Sequence, residues 1–170
     1  MKLAIISDTH DNIENISRVL SWIKKQGIET VLHCGDVCAP ITLVKSILDH
    51  FEGTLHLVFG NIDGDRFLML KKVSEMGRKN VFLHGELAEI EIDGKKIAMN
   101  HYPDIAKRLA ESGAYDLVCF GHNHTQSLAT VGKTSLVNPG NVAGIFGEAA
   151  CATYDTTSGT VELYRLDSLS

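Results

Sequence analysis

Asp8 and His10 stand two residues apart, just after the apolar run Leu3-Ala4-Ile5-Ile6. In an extended segment that spacing points both side chains to the same side. His122 and His124 repeat it after Leu117-Val118-Cys119-Phe120-Gly121. Between them, Asp36 follows Val31-Leu32-His33-Cys34-Gly35, Asn61 follows Leu57-Val58-Phe59-Gly60, and His101 follows Ala98-Met99-Asn100. Each time a strand-like run ends on Asp, Asn or His. Carboxylate, amide oxygen and imidazole are the donors that suit Mn, Fe, Zn and similar divalent ions. Gly35, Gly60 and Gly121 each precede a candidate, where a missing β-carbon lets the backbone turn sharply in a crowded site. The chemistry to expect is metal binding at strand ends that converge on one place.

Simpler readings exist for each residue. Asp8 could only cap a following helix, and His101 alone would be an ordinary loop histidine. Asn61-Ile62-Asp63-Gly64 could be a turn, since Asp-Gly is a common turn pair. Asn138-Pro139-Gly140-Asn141 reads first as a turn and second as a loop shaping the site. His33, His50, His56 and His84 lack such company and read as structural or surface residues. Lys71-Lys72 and Arg78-Lys79 read as a solvated face. What favours the metal reading is the repetition, because one Asp-x-His would be weak evidence and a set of polar strand ends is not.

The elements that must hold these residues follow from the hydrophobic pattern. Residues 2–7 read as a buried strand. Asn12 is placed to cap a helix whose apolar Ile13, Ile16, Val19, Leu20 and Ile23 recur at helical spacing, with Gly27 to end it. Residues 30–33 form a strand, Leu43 to Phe51 mark a second helix, and residues 54–59 a third strand segment. This alternation implies parallel pairing through right-handed crossovers. Then come a short helix over 65–75, strands over 81–84 and 87–92, and a hairpin turn at Asp93-Gly94 pairing 96–100 back. Pro103 opens another helix, with Ile105, Ala106, Leu109 and Ala110 facing inward and Gly113 ending it. Residues 117–120 are an apolar strand, and beyond Gly121 the chain reads as strands and turns, with hairpins at Gly132-Lys133 and Ser158-Gly159. A parallel first half and an antiparallel second half suggest an α/β fold of two packed sheets flanked by helices.

The chain has 170 residues, 44% of them apolar and 22% charged, which suits one globular domain over 1–170. Its 16 Lys and Arg against 21 Asp and Glu give a formal charge of −5. That balance argues against a broad nucleic-acid surface, which would be basic. A small nucleotide substrate is compatible, because bound cations reverse the local charge. The opening residues do not read as a signal peptide, and no stretch approaches a membrane span. Cys34, Cys38, Cys119 and Cys151 are scattered without a C-x-x-C pair, so we expect reduced thiols in a cytoplasmic protein. A zinc thiolate site at Cys34 and Cys38 would need a second cysteine pair.

With these motifs in hand, the chain resembles the calcineurin-like metallophosphoesterases, and most of all their small bacterial and archaeal phosphodiesterases. That family's order is Asp-x-His, Gly-Asn preceded by Gly-Asp, a His segment, and Gly-His-x-His. It is matched here by Asp8-Thr9-His10, Gly35-Asp36, Gly60-Asn61, His101 and Gly121-His122-Asn123-His124. The match runs over nearly the whole chain. The resemblance implies a four-layer sandwich of two mixed sheets between helices. It implies one metal held by Asp8, His10 and His124, a second by Asn61, His101 and His122, and Asp36 bridging the two. It also makes a homo-oligomer an expectation. Tyr102 stands where many relatives have Gly-His, Asp11 where Gly is frequent, and Ile62 where many carry a catalytic His.

The reaction to expect is hydrolysis of a small phosphodiester, with Asp36, Asn61 and His101 at the catalytic centre. Two divalent ions, Mn2+ before Ni2+, Zn2+ or Fe, would neutralise charge on the phosphoryl oxygens and supply a metal-bound hydroxide for in-line attack. Ile62 cannot donate a proton to the leaving group, and Asp63 is the next candidate along the chain. The alternatives are a phosphomonoesterase and, from a different class, a non-catalytic interaction scaffold of the same fold.

Overall fold

The computed structural model describes residues 1–169. In β1 (Lys2–Ile6) the side chains of Leu3, Ala4, Ile5 and Ile6 are all buried, although they point to alternate faces. A strand apolar on both faces must be covered on both, and that requirement organises the fold. β2 (Thr30–His33) is buried throughout in the same way. Helix α1 (Ile13–Lys25) connects them, and the Asn12 side chain accepts from the Asn15 N–H to cap it as the sequence implied. Helix α2 (Pro40–Thr42) begins on a proline and widens at once into a π-helical stretch, Leu43–Leu48. β3 (Thr54–Leu57), α3 (Arg66–Met76) and β4 (Val81–Leu83) complete this half. Next come the hairpin β5 (Leu87–Ile92) and β6 (Lys95–Asn100), α4 (Pro103–Glu111) and β7 (Leu117–Cys119). The chain ends with β8 (Ser127–Val131), β9 (Thr134–Asn138), β10 (Ala150–Asp155), β11 (Thr160–Arg165) and a 3-10 turn, Leu166–Ser168.

The strands form a six-stranded sheet in the order β11-β10-β1-β2-β3-β4 and a five-stranded sheet in the order β5-β6-β7-β9-β8. β1 to β4 are parallel, as the alternation implied. The second half departs from the antiparallel expectation in two ways. β6, β7 and β9 are parallel, because α4 and the β8 hairpin act as crossovers. β10 and β11 leave the second sheet and extend the first, with Leu3 opposite Tyr154. Both sheets are therefore mixed.

Leu3, Ile5 and Leu32 meet Ile97, Met99, Leu117, Cys119 and Val137 between the sheets. Ala4, Ile6 and Val31 pack outward under Ile16, Val19 and Ile23 of α1 and Leu43 and Ile47 of the π-helical stretch. Ala98 and Val118 pack outward under Ala106 and Ala110 of α4. The result is four layers, helix–sheet–sheet–helix, α/β as read from the motifs. Ile13 and Ile105, placed on inner faces by their spacing, are exposed, each in the first turn of its helix. Arg78 also differs from its sequence reading, because its guanidinium donates to the carbonyls of Leu48, Phe51 and Gly53. It ties the end of one helix to the loop before β3.

Candidate metal centre

Asp8, Asp36, Asn61, His101, His122 and His124 all follow strands, and His10 follows Asp8 on the same loop, so every predicted ligand lies at the carboxyl ends of β1, β2, β3, β6 and β7. The loops are knit to one another by backbone bonds. The Asp8 N–H donates to the Gly35 carbonyl at 2.9 Å and the His10 N–H to the Asp36 carbonyl at 3.1 Å. To make these turns, Asp8, His10, Asp36, His122 and His124 adopt φ of +53°, +41°, +59°, +74° and +56°. Left-handed backbone is uncommon outside glycine, and its concentration on the candidate ligands marks strain held at a functional site. Two glycines serve a different need. A β-carbon at Gly60 would collide with the Asp36 carboxylate, and one at Gly121 with Ser7 and the Asp8 carboxylate. The signal read from the sequence was thus a packing requirement.

The side chains form two adjoining groups. In the first, Nε2 of His10 and Nε2 of His124 are 3.0 Å apart, at 3.6 and 3.3 Å from Asp8 Oδ1. In the second, His101 Nε2 lies 3.3 Å from Asp36 Oδ2 and 3.0 Å from Asn61 Oδ1, which is also 2.8 Å from His122 Nδ1. The ligating atoms of Asp8, His10 and His124 lie within 4.8 Å of one another, and so do those of Asp8, Asp36 and His101. Asp8 is common to both sets, and Asp36 faces the second.

The protons show what this arrangement requires. His101 Nδ1 is 2.8 Å from the Cys34 carbonyl, an acceptor, so it carries a hydrogen and Nε2 of the neutral ring presents a lone pair. That lone pair faces two oxygens that are also acceptors. His124 Nδ1 is likewise turned to the Ile145 carbonyl at 3.3 Å, leaving Nε2 toward Asp8. Asp8 Oδ1 is buried and has no hydrogen-bond partner. Lone pairs converging on a buried carboxylate repel unless a cation sits among them. Protons could supply that charge, and the titrations lean that way. The neighbouring Asp8 carboxylate raises the pKa of His10. Burial alone would lower that of His101, but the Asp36 carboxylate outweighs it and the net shift is upward. Burial would raise Asp36, and the hydrogen bonds from His101 and the Ile62 N–H reverse that, holding it below its usual value. A divalent cation meets the same need with higher charge, and the carbonyls behind His101 and His124 fix the tautomers a metal requires. The donor set fits divalent metal ions.

Other residues gain or lose roles. Asp63 is buried, with Oδ2 accepting from the N–H groups of Gly60 at 2.7 Å and Asp36 at 3.0 Å and Oδ1 from Cys38 at 2.9 Å. Both oxygens are committed to backbone donors, so Asp63 is not the proton source considered above. It braces the two loops that carry Asp36 and Asn61, a role that no local pattern announced. Asn138 and Asn141 are buried and bond across the site loops, Asn138 Nδ2 to the Gly121 carbonyl and Asn141 Nδ2 to the His124 carbonyl. The 138–141 turn therefore also shapes the site. Asp11 accepts from the Ala39 N–H and Tyr102 lies 5.3 Å, ring to ring, from both His101 and His122. Ile62 is half exposed and offers only its N–H, to Asp36. Phe146, which the sequence reading passed over, is 95% exposed with its ring 5.7 Å from that of His124.

The remaining histidines are outside the site. His33 is buried, accepts from the Gly35 N–H and meets Thr9 Oγ1, and burial lowers its pKa to about 4. His56 and His84 stack with Phe82 on β3 and just past β4, and His50 is exposed. All four cysteines are free, and none joins a cluster of candidate metal ligands among the described residues. Cys38 approaches only the outward nitrogen of His10, Nδ1, at 3.6 Å. A surface cavity of about 730 Å³ lies elsewhere, lined by Gly27, His50, Gly53 and Asn80 at the strands' amino ends, where no ligand cluster stands among the described residues.

Against known proteins, the profile of the calcineurin-like phosphoesterase superfamily domain matches residues 1–159. The phosphodiesterase MJ0936 of Methanocaldococcus jannaschii is 30% identical over 146 residues, 85% of this chain and 86% of that protein. A probable metallophosphoesterase of Bacillus subtilis, YsnB, is 27% identical over 153 residues, 84% of this chain and 75% of that protein. A solved archaeal phosphodiesterase superimposes with a TM-score of 0.88 at 26% identity, covering 97% of this chain and 99% of that one.

Proposed function

Because the chain belongs to the calcineurin-like phosphoesterase superfamily, we propose that it is a dinuclear phosphodiesterase, one domain over 1–170, acting on small diesters and possessing the ligand set Asp8, His10, Asp36, Asn61, His101, His122 and His124. The observation that carries this reading is Asp8 Oδ1, buried without a partner while Nε2 of His10 and Nε2 of His124 face it. Asp36 is proposed as the bridge, as the family likeness implies; its Oδ2 lies 3.3 Å from His101 Nε2, and it shares a ligand group with Asp8, whose Oδ1 faces His10 and His124. Mn2+ is the proposed metal, because imidazole-rich mixed sets suit it better than Mg2+. Two such ions would neutralise charge on the phosphoryl oxygens and activate water.

The chain's own residues do the rest. Asp63, Asn138 and Asn141 hold the ligand loops in register before substrate arrives. Ile62, Tyr102 and Phe146 at the rim are uncharged, which favours an ester substituent over the second charge of a monoester. Ile62 has no proton to give and Asp63 is engaged, so departure depends on a leaving group that needs little help. A cytoplasmic setting agrees with the free thiols, and a homo-oligomer is carried over from the family likeness.

The test is metal analysis of purified protein, with hydrolysis measured on diesters and monoesters before and after chelation. Retained stoichiometric transition metal and diesterase activity that is lost on chelation are expected, with rates falling steeply as the leaving-group pKa of aryl diesters rises. Undiminished hydrolysis after thorough demetallation would sink the reading.

A further inference from the structure

Phe146 sits where an aromatic ring gains nothing from the fold. It is 95% exposed and its φ is +62°, a region bulky residues rarely enter. Single exposed apolar residues are common and by themselves mean little. This one differs in how its segment is tied down. The N–H groups of Val142 and Ala143 donate to the carbonyls of Ser7 and Asp8 at 3.0 and 3.1 Å. Asn12 and Asn15 donate to the Ala143 and Val142 carbonyls, each at 2.9 Å. The Ile145 N–H donates to Asn141 Oδ1 at 2.8 Å, and the Ile145 carbonyl accepts from His124 Nδ1. The residue before Phe146 is therefore bonded to a candidate metal ligand, and the Phe146 and His124 rings lie 5.7 Å apart at 35°. The loop holds a phenyl face in water at the rim, one residue beyond its bond to the candidate ligand His124.

We propose that Phe146 is a specificity-determining residue, a platform on which a planar aromatic substituent of the substrate, an aryl group or a nucleobase, stacks while its phosphoryl group meets the ligand cluster. The inference rests on the phosphodiesterase reading for the position of the phosphoryl group. Stacking on an exposed aromatic side chain tolerates many ring types and needs no charge. The uncharged Ile62 and Tyr102 agree, and for an aryl leaving group so does the want of a free proton at Ile62 and Asp63, since aryl oxides leave more readily than alkoxides.

The experiment measures binding, by calorimetry on Mn2+-loaded protein, of ligands whose carbon–phosphorus bonds are not hydrolysed. Phenylphosphonate is expected to bind wild type on the order of tenfold more tightly than methylphosphonate. Phe146→Ala should close that gap while leaving methylphosphonate unchanged, and Phe146→Trp should keep it. The methylenephosphonate analogues of adenosine 5′-monophosphate and of ribose 5-phosphate, in which a CH2 replaces the ester oxygen, form the second arm. A Phe146-dependent gap larger in that pair assigns a nucleobase, and one confined to the phosphonates assigns a simple aryl group. A gap that survives Phe146→Ala, or equal weakening of all ligands, overturns the proposal. Because nothing is cleaved, this outcome stands apart from whether diesters are hydrolysed.

Discussion

The molecule holds two histidine pairs at nearly the same separation. His10 and His124 approach to 3.0 Å between ring nitrogens, and His56 and His84 to 2.9 Å. The first pair faces a buried carboxylate at the strands' carboxyl ends. The second stacks on Phe82 at an edge strand, and no carboxylate contributes to its titration. Their proton affinities move apart accordingly. The pKa of His10 is raised, chiefly by Asp8, whereas burial lowers that of His84 and takes that of His56 to about 4. Proximity of imidazoles does not make a metal site. A buried negative charge among their lone pairs does.

The sharpest way to break the comparison is to remove charge at one end and an imidazole at the other. Asp36→Asn should lower turnover by about 10³-fold or more and reduce bound metal, with the fold kept by circular dichroism. His84→Gln should leave turnover and metal content unchanged. Full activity in the Asp36 variant would remove it from the bridging role.

A second test keeps every ligand and loosens what holds two of them. Asp63→Asn turns an amide group toward the N–H donors of Gly60, Asp36 and Cys38 in place of one carboxylate oxygen. Metal affinity should fall about 10- to 100-fold, as for other groups that orient ligands indirectly. Titration with Mn2+ reads the change, and unaltered affinity would reduce Asp63 to a turn residue.

The smallest effect concerns pH in the metal-free protein. His33 and His56 stay neutral in the fold down to about 4, whereas the unfolded chain takes up these protons near 6.5. Their contribution is full above 6.5 and is lost as pH falls toward 4. His10 and His101 have the opposite sign. Their pKa values are raised, so their contribution is present below 6.5 and is lost as pH rises through the folded values. Urea unfolding between pH 4.5 and 8 should show both limbs. His56→Phe should flatten the acid limb and Asp8→Asn the neutral one. An acid limb unchanged by His56→Phe would mean that its burial is not what sets its titration.

The sequence by itself determined the candidate ligands and the layered fold, because both are written locally. A metal demands particular donor atoms, and a strand buried on both faces demands an unbroken apolar run, so each leaves a mark within a few residues. Asp8-Thr9-His10 and Gly121-His122-Asn123-His124 could be read before any coordinate was known. What only the tertiary structure decided depends on partners far apart along the chain. Asp63 sat in a plausible turn, and its work lies with the amides of Asp36 and Cys38 on another loop. Asp8 belongs to both ligand groups, a fact set by the packing of β1 between β2 and β10 over the second sheet. β10 and β11 rejoined the first sheet because Ala4 and Ile5 have edge hydrogen bonds to satisfy opposite Thr153 and Ala152, some 150 residues later. Phe146 looked like any loop residue until its segment was seen bonded to His124. Local chemistry names the donors, but which of them share an ion, and what stands beside it, is fixed by contacts that sequence spacing does not encode.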